Sequence, residues 1–545
     1  MNNKPSITLP HLTNDIVSSA RKTKLCAYSV ALEGWRRGLK LKWHTVDYEA
    51  YNEMITFGVN PPGRLYSLSS TERTHYFFRT RGDKVTNDAV VIGSDKDETK
   101  LYLSRAGVPV PKGKKFLKED PDEVIMNFAE TLEFPLVLKP TSGSLGNGVV
   151  TNIKDMVGLK KAISYVRYDL EYHEVILERY VPGEEYRVYV VGNNVVAAYN
   201  RLPANIIGDG SHTIEELIEL KNLERKKNAR LFSCLIEIDN EVLDFIQSSG
   251  YTLESIPEKG EKILLREKTN VSAGGDPIDV TDNLPNELKE IAINAVKAIP
   301  GLHHGGVDII VDIEKPIENS AVVIELNPTA QIGGILFPMK GRARDIPKAI
   351  IDYYFPETIG INAGKSKFYF DFNTVLEPLS SRSAVEVEVQ NAPMGKVYVK
   401  KYIVAGFVQR VGFHQWLRKE ALDRGLHGFI NKLSNDNIEI VVAGTDKETV
   451  KNFREVIKMS SKAEIKKITI ESYREPLKVG FEIYEGYNPA ILRSVESTIR
   501  KMEKDLLKLD KQKIKFEKEK EKIVKSRTWQ LMISVRKMWR FFHIK

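Results

Sequence analysis

The segment FPLVLKPTSGSLGNGVV, residues 134–150, begins as an apolar, strand-forming run, places Lys139 just before Pro140, and then sets Gly143, Gly146 and Gly148 within a few positions. An apolar run that ends in a basic residue and a glycine-rich loop reads as a buried strand delivering loop amides to an anion, phosphate being the first candidate. Glycine supplies the positive φ angles and close backbone approach that such a cradle requires. The same pattern also describes a plain turn after a strand, so its meaning is decided by its surroundings.

Those surroundings are large and ordinary in composition. The chain has 545 residues and 61.9 kDa, 42% hydrophobic and 28% charged, which at about 100–200 residues per domain predicts three or four globular domains with ample core. Cys26 and Cys234 are far apart and form no metal-like or redox spacing, as expected of a cytoplasmic protein in a reducing compartment. Residues 1–15 lack the charged-then-apolar pattern of a signal peptide, and no apolar run is long enough to span a bilayer. The formal charge of +8 is concentrated at the C-terminus, where residues 501–545 hold 15 Lys and Arg against 6 Asp and Glu. The body is close to neutral, which argues against a nucleic-acid partner.

Residues 1–92 read as a small α/β domain: a helical stretch carrying Val17, Ala20, Leu25, Val30, Ala31 and Leu39, strand-like segments LKLKWHTVD, RLYSLSS and HYFFRTRGD, and a core strand ending at AVVIGSDK (89–96). Residues 99–110 predict a short helix closed by Gly107 and stopped by Pro109. VILERYVPGEEYRVYVV (175–191) predicts two strands joined by a Pro-Gly turn, with Glu178 before it and Glu185 after it. Such a connection can offer backbone groups to an adenine edge and a carboxylate to ribose hydroxyls, although surface glutamates are commonly just solvated. In GGVDIIVDI (305–313) and AVVIELNPTAQIGG (321–334) the polar Asp308, Glu325 and Asn327 interrupt otherwise apolar strands. Side chains alternate along a strand, so Glu325 and Asn327 share a face, and a carboxylate beside an amide oxygen suits a hard cation such as Mg²⁺. The alternative is an edge position for Asp308 and a structural ion pair for Glu325.

In this order, SDKDETKLYLSRAGVPVP (94–111), the opening segment, ERYVPGEEYRVYVV (178–191), NRLPANIIGDGSHTIEELIE (200–219), LLREKTNVSAGGDPIDVTD (264–282) and VVIELNPTAQIGG (322–334) resemble the ATP-grasp family. The likeness is greatest to the modules of cyanophycin synthetase and the bifunctional glutathione-synthesising enzymes. The resemblance implies an ATP-grasp domain over 93–356 with an insertion at about 208–262, ATP and Mg²⁺ as cofactors, and ligation of a carboxylate to an amine through an acyl phosphate. It implies that Lys96 and Lys139 hold phosphates under a loop containing Ser142, Gly143, Ser144, Gly146 and Gly148. It further implies Glu178 at adenine, Glu185 at ribose, and Asp308, Glu325 and Asn327 on magnesium. Arg201 and Arg266 would face the transferred phosphoryl group or the acyl substrate, and Asn270, Ser272, Gly274 and Gly275 would wall the substrate site. The insertion, rich in helix formers, resembles that of the cyanophycin-type subgroup, and this resemblance implies an amino-acid-like substrate.

After a linker or a few added strands expected at 357–395, the order strand, helix, strand, strand, helix, strand predicts a ferredoxin-like sandwich. Residues 396–485 resemble acylphosphatase through GFVQRVGFHQW and GLHGFINKLSNDNIEIVVAG. The family's arginine and asparagine positions are here His414 and Lys432, with Asn431 one residue early. Neighbouring strand residues face opposite ways, so Asn431 substitutes only if a bulge shifts the register. The resemblance therefore implies a degenerate domain. Residues 488–524 carry an a/d seam of Leu492, Val495, Ile499, Met502, Leu506 and Leu509, expected to form a coiled coil that dimerises the chain through 490–523. Residues 525–545 hold no acidic residue and interleave Trp529, Met532, Ile533, Val535, Trp539, Phe541 and Phe542 with Arg527, Arg536, Lys537, Arg540 and Lys545, as expected for contact with the inner membrane surface. RNA binding by this tail is the alternative. The tail also resembles the Ser-x-x-Trp ends of bacterial glycosyltransferases of surface-polysaccharide synthesis. The expected fold class is multidomain α/β (α+β), and the expected activity an ATP-dependent carboxylate–amine ligase in surface-polymer or peptide-like metabolism. An acyl phosphate hydrolase and a nucleotide-binding scaffold are the alternatives.

Overall fold

The computed structural model describes residues 8–141, 148–312, 314–316, 320–409, 411–433, 437–461 and 463–484. Ser142, Gly143, Ser144 and Gly146, together with the expected coiled coil and basic tail, lie outside them. The chain divides into two compact units, Met1–Val397 with Arg474–Val479, and Tyr398–Tyr473 with Gly480–Lys545.

In the first unit the helix α1 (Thr23–Arg36) is buried on nearly all sides. It packs on an antiparallel sheet of β1 (Lys40–His44), β2 (Leu65–Ser69), β3 (Thr74–Phe78) and β4 (Arg81–Gly82). Residues 89–96, expected as a core strand, are instead the end of α2 (Asn87–Ser94) and the start of α3 (Lys96–Arg105). Thr86 caps α2 by accepting from Ala89 N, and Asp95 caps α3 by accepting from Asp97 N and Glu98 N. These caps satisfy amides that a helix start would otherwise leave unpaired.

Two further sheets carry the site residues. The first has the order β5 (Gly113–Phe116), β8 (Val175–Arg179), β6 (Leu136–Pro140), β7 (Val150–Ile153), covered by α4 (Asp122–Ala129) and α5 (Met156–Ile163). The second uses β9 (Glu184–Val191), β10 (Asn194–Leu202), β13 (Asp276–Asp279), β14 (His304–Val311) and β15 (Ala321–Asn327), in the order β13-β10-β9-β14-β15. Its inner face, including Val188, Val190, Ala198, Val307, Ile309, Val323 and Leu326, packs with Leu288, Ala292, Ala295 and Val296 of α8 (Asn286–Ala298). The two strands flanking the Pro-Gly turn thus belong to different sheets. Between β10 and β13 the chain forms its own small core from β11 (Asn205–Ile207), α6 (Ile214–Lys226), α7 (Asn240–Ser248) and β12 (Lys262–Leu264).

Of the two readings of 357–395, a linker or a few added strands, the segment takes the second, with a helix between the strands. It holds β16 (Phe368–Tyr369), α11 (Phe372–Ser380) and β17 (Glu386–Glu388), and β17 completes the N-terminal sheet by pairing antiparallel with β1. In the second unit β18 (Tyr398–Phe407), α12 (Val411–Asp423), β19 (His427–Lys432), β20 (Ile438–Gly444), α13 (Lys447–Lys458), β21 (Glu464–Glu471) and a last strand, Phe481–Tyr484, form the expected sandwich. Its sheet order is β21-β18-β20-β19 followed by that last strand. Among the described residues no helix is long and apolar enough to cross a membrane.

Candidate functional site

The outer face of the second sheet is built by alternation and one irregularity. Asp308 on β14 lies directly opposite Glu325 on β15, and Gly306 opposite Asn327. The register then slips, so that Ile309 pairs with Val323 and Ile324 is the extra residue. That bulge lets Val323 and Leu326 both enter the core while Glu325 and Asn327 share a face with Asp308.

Asp308 is 1% exposed. Both its oxygens accept from Arg187 on β9, Oδ1 from Nε and Oδ2 from Nη2, each at 2.6 Å, and Oδ2 also accepts from Arg201 Nη1 at 3.1 Å. Burial pushes its carboxyl up, but the two guanidiniums outweigh burial and hold it below the usual carboxylate range. Glu325 is pushed up, first by burial and then by Asp308 facing it. Among the described residues no ion pair involves Glu325. The Asn327 carboxamide satisfies its neighbours with its nitrogen 3.2 Å from Glu325 Oε1 and its oxygen 3.2 Å from Arg187 Nη2. A half-turn of the same group presents its oxygen beside Glu325. Two carboxylates and an amide oxygen are the donors a hard divalent cation takes, and Arg187, Lys96 and Arg201 do not offset the effect of burial and Asp308 on Glu325, so this set fits magnesium.

Lys139 and Glu178 sit on the other sheet. Lys139 Nζ meets Glu178 Oε2 at 2.6 Å, and Lys100 of α3 donates to Oε1 at 3.2 Å. Burial pushes the Glu178 carboxyl up, but the two lysines override it and hold it low. Gly113 makes room for this carboxylate, since a Cβ there would lie 2.3 Å from Leu177 O and 2.6 Å from Glu178 Cγ. Lys96, first residue of α3, donates to Pro140 O at 3.5 Å. Its ammonium is held below its ordinary value chiefly by burial, with Lys139 adding to the shift and Glu325, Asp95 and Glu178 opposing it. Lys96 therefore feels groups from both sheets.

The remaining expected residues divide. Glu185 accepts from Arg201 Nη1 at 2.5 Å and from the Thr269 hydroxyl, so Arg201 joins Glu185 to Asp308. Thr269 lies in the loop between β12 and β13 that includes Asn270, Ser272, Gly274 and Gly275, and Thr151 of β7 donates to Glu267 of the same loop at 3.1 Å. Gly275 is enclosed by the carbonyls of Thr269, Leu202 and Asn270, and any Cβ would collide with them. Gly148 is left-handed at φ 72° and lies against Tyr172. Arg266 is engaged away from this cluster, with Asp239 and Glu241 at the start of α7, each at 2.8 Å. Sequence reasoning passed over Arg187, Lys100 and Thr269. Arg187 had a signal, two residues from Glu185 and so on its face of β9.

His414 is 1% exposed, and its Nε2 lies 2.8 Å from Val408 O. A carbonyl only accepts, so Nε2 carries a proton and the ring is tied to the backbone just after β18. β19 runs against β20 in unbroken register from His427 to Lys432. No bulge turns Asn431, whose amide instead donates to Glu439 Oε2 at 3.3 Å.

Residues 93–332 match the ATP-grasp domain, and residues 400–483 match acylphosphatase. Cyanophycin synthetase from Crocosphaera subtropica is 33% identical over 280 residues, 49% of this chain and 31% of that protein. The glutathione biosynthesis bifunctional protein GshAB from Clostridium perfringens is 34% identical over 298 residues, 53% of this chain and 37% of that protein. A crystal structure of a bifunctional glutathione synthetase from Pasteurella multocida is 28% identical, with a TM-score of 0.43, covering 54% of this chain and 41% of that one. The chain spans about a third of the length of the curated relatives it matches. It is a multidomain α/β fusion of an ATP-grasp domain to an acylphosphatase domain.

Proposed function

We propose, from the premise that residues 93–332 form an ATP-grasp domain, that the chain is an ATP-dependent carboxylate–amine ligase acting on amino-acid-like substrates. One observation carries the reading: the facing carboxylates of Asp308 and Glu325, with Asn327 beside them, flanked by the guanidiniums of Arg187 and Arg201. That arrangement suits a crowded polyphosphate, whose charge positioned cations must offset as it is transferred.

In this proposal a carboxylate oxygen of the acid attacks the γ-phosphorus of ATP, ADP leaves, and an acyl phosphate forms. An amine then attacks the acyl carbon, inorganic phosphate leaves, the amine gives up a proton, and an amide remains. Lys96 and Lys139 bind phosphate oxygens, and Lys139 exchanges Glu178 for the nucleotide while Lys100 keeps Glu178 ionised. Arg201, fixed by Glu185 and Asp308, faces the transferred group. Magnesium held by Asp308, Glu325 and Asn327 would neutralise the terminal phosphates. The loop Thr269–Gly275 walls the site, and Ser142, Gly143, Ser144, Gly146 and Gly148 close over the phosphates to exclude water. Glu178 and Glu185 border the nucleoside, and Asn270 serves the acyl substrate, while Arg266, held by Asp239 and Glu241, takes no part. The sequence pattern of the C-terminal residues supports dimerisation through 490–523, contact with the inner membrane surface through 525–545, and a role in surface-polymer or peptide-like metabolism. The test is ADP release across pairs of acids and amines. The reading requires turnover that depends on both partners and is lost in Glu325→Gln, and it fails if ADP forms at the wild-type rate in that variant.

A further inference from the structure

Arg79 occupies a left-handed backbone conformation, φ 57°, which an unbranched non-glycine residue adopts only at a cost. Its backbone is fixed on both sides: its N–H donates to Arg64 O at 2.8 Å and its carbonyl accepts from the Tyr66 hydroxyl at 3.0 Å. Its side chain has no such ties. The guanidinium lies over the rings of Phe57 and Phe78, 4.7 and 4.9 Å from their centroids, Nε is buried without a partner, and no ion pair or hydrogen bond from it exists among the described residues. Arg64 pins the loop that carries Phe57 by donating to Asn60 O and Pro61 O. Burial, and then Arg64, hold the Arg79 guanidinium below its ordinary value, as follows when a cation is given no countercharge. A strained backbone that aims an unpaired, ring-stacked guanidinium points to a ligand.

The place is as telling as the residue. Thr80, next in sequence, donates to Ala330 O at 3.2 Å, in the loop that leaves β15 directly after Asn327. On the same loop, Arg230 from the insertion donates to Gln331 Oε1 at 3.4 Å and to Cys234 Sγ at 2.6 Å, and its side chain lies against Gly333. Both acceptors are neutral, so Arg230 also lacks a carboxylate partner among the described residues. The buried Cys26 thiol, faced by the amides of Ile332 and Gly333, feels both arginines.

We infer that Arg79 and Arg230 receive a second carboxylate of the acid substrate, making that acid dicarboxylic or a peptide-like acid with a free carboxylate beyond the one that is activated. This rests on the ligase reading and narrows its substrate class. Guanidinium takes carboxylate through paired, charge-assisted hydrogen bonds, whereas an amide in the same place offers one acceptor oxygen and no countercharge.

The test uses the full chain with ATP and magnesium, a mixture of amino acids as amine, and matched acids: N-acetylglutamate against N-acetylglutamine, and N-acetylaspartate against N-acetylasparagine. For at least one pair we expect kcat/KM of ADP release to favour the diacid by about tenfold or more, the scale of one charge-assisted contact. Arg79→Gln and Arg230→Gln should each remove most of that preference through KM, leaving kcat and the KM for ATP close to wild type, and Arg79→Lys should restore part of it. Equal turnover of diacid and amide, or a preference that survives both substitutions, overturns the inference. If no acid supports ADP release the ligase reading fails, and glutarate against butyrate decides the site independently. A rise in melting temperature with glutarate alone, lost in Arg79→Gln, upholds it, and no difference between the two acids refutes it.

Discussion

Glu325 is the residue of the proposed magnesium set whose surroundings work most directly against its charged form. Its pKa is raised by burial and by Asp308 opposite. An acid whose folded value lies above its unfolded value binds more protons when folded, so its contribution to stability is full at low pH and is lost as pH rises through the folded value. At neutral pH the ionised side chain opposes folding unless a cation neutralises it. Glu325→Gln is therefore expected to raise the melting temperature by ~2–4 °C in divalent-free buffer while abolishing ADP release. Magnesium should raise the melting temperature of the wild type only. Thermal melts with and without magnesium check both, and a variant that melts below wild type without magnesium contradicts the electrostatic account. Glu178 runs the opposite way. Its value is lowered and its stabilisation is lost as pH falls through the folded value, so Lys100→Met, which removes one of two cations from a buried carboxylate, should cost about 1–3 kcal/mol. Denaturant titration at neutral pH reads this, and an unchanged midpoint would show that Lys139 alone satisfies the carboxylate. At this scale the sequence was partly legible. Asp308, Glu325 and Asn327 stood out as polar breaks in apolar strands, and alternation placed two of them on one face. Lys100 carried no such mark, because its meaning depends on a helix meeting a strand 78 positions away.

Elements were legible where their signals were local. Gly107 and Pro109 ended α3 as their chemistry dictates, with Gly107 left-handed at φ 73°. AVVIGSDK misleads because its β-branched residues favour a strand, whereas Thr86 and Asp95 cap helices on either side and the burial of Ala89, Val90 and Ile92 with Val91 exposed is helical. β17 was invisible because it is three residues long and its partner β1 lies 346 positions earlier. The insertion was legible as helix-rich, but its anchor was not. Asp276 on β13 binds Arg225 at 2.6 Å and Lys221 at 2.5 Å, both from α6, with Arg225 completely buried. Breaking such a group leaves a buried guanidinium and a partly buried ammonium without a countercharge, so Asp276→Asn should destabilise by about 3–5 kcal/mol. The loss belongs to α6 and the strands it packs on. Limited proteolysis should therefore cut first within 226–262, and cleavage elsewhere at an unchanged rate would remove the anchor role.

The whole chain joins a domain whose proposed chemistry makes an acyl phosphate to a domain of the family that hydrolyses acyl phosphates. An active hydrolase in the same chain would turn ATP and acid into ADP and phosphate without product whenever the amine is scarce. The second unit departs from its family at the two positions that would allow this. A guanidinium offers paired donors to a phosphate, while His414 spends its Nε2 proton on Val408 O. The strand position that would orient water is Lys432, and the unbroken β19–β20 register keeps Asn431 on the opposite face, bonded to Glu439. We therefore expect the full chain, given benzoyl phosphate without ATP, to release phosphate at no more than the buffer rate across neutral pH. ADP release with ATP and acid should stay low until an amine is added. Introducing His414→Arg with Lys432→Asn should raise both rates together, because one repaired site would consume the added and the enzyme-made acyl phosphate alike. Hydrolysis by the wild type at enzymatic rates would show that His414 and Lys432 support the chemistry by another route, and the separation between a working ligase and a silent hydrolase would no longer hold.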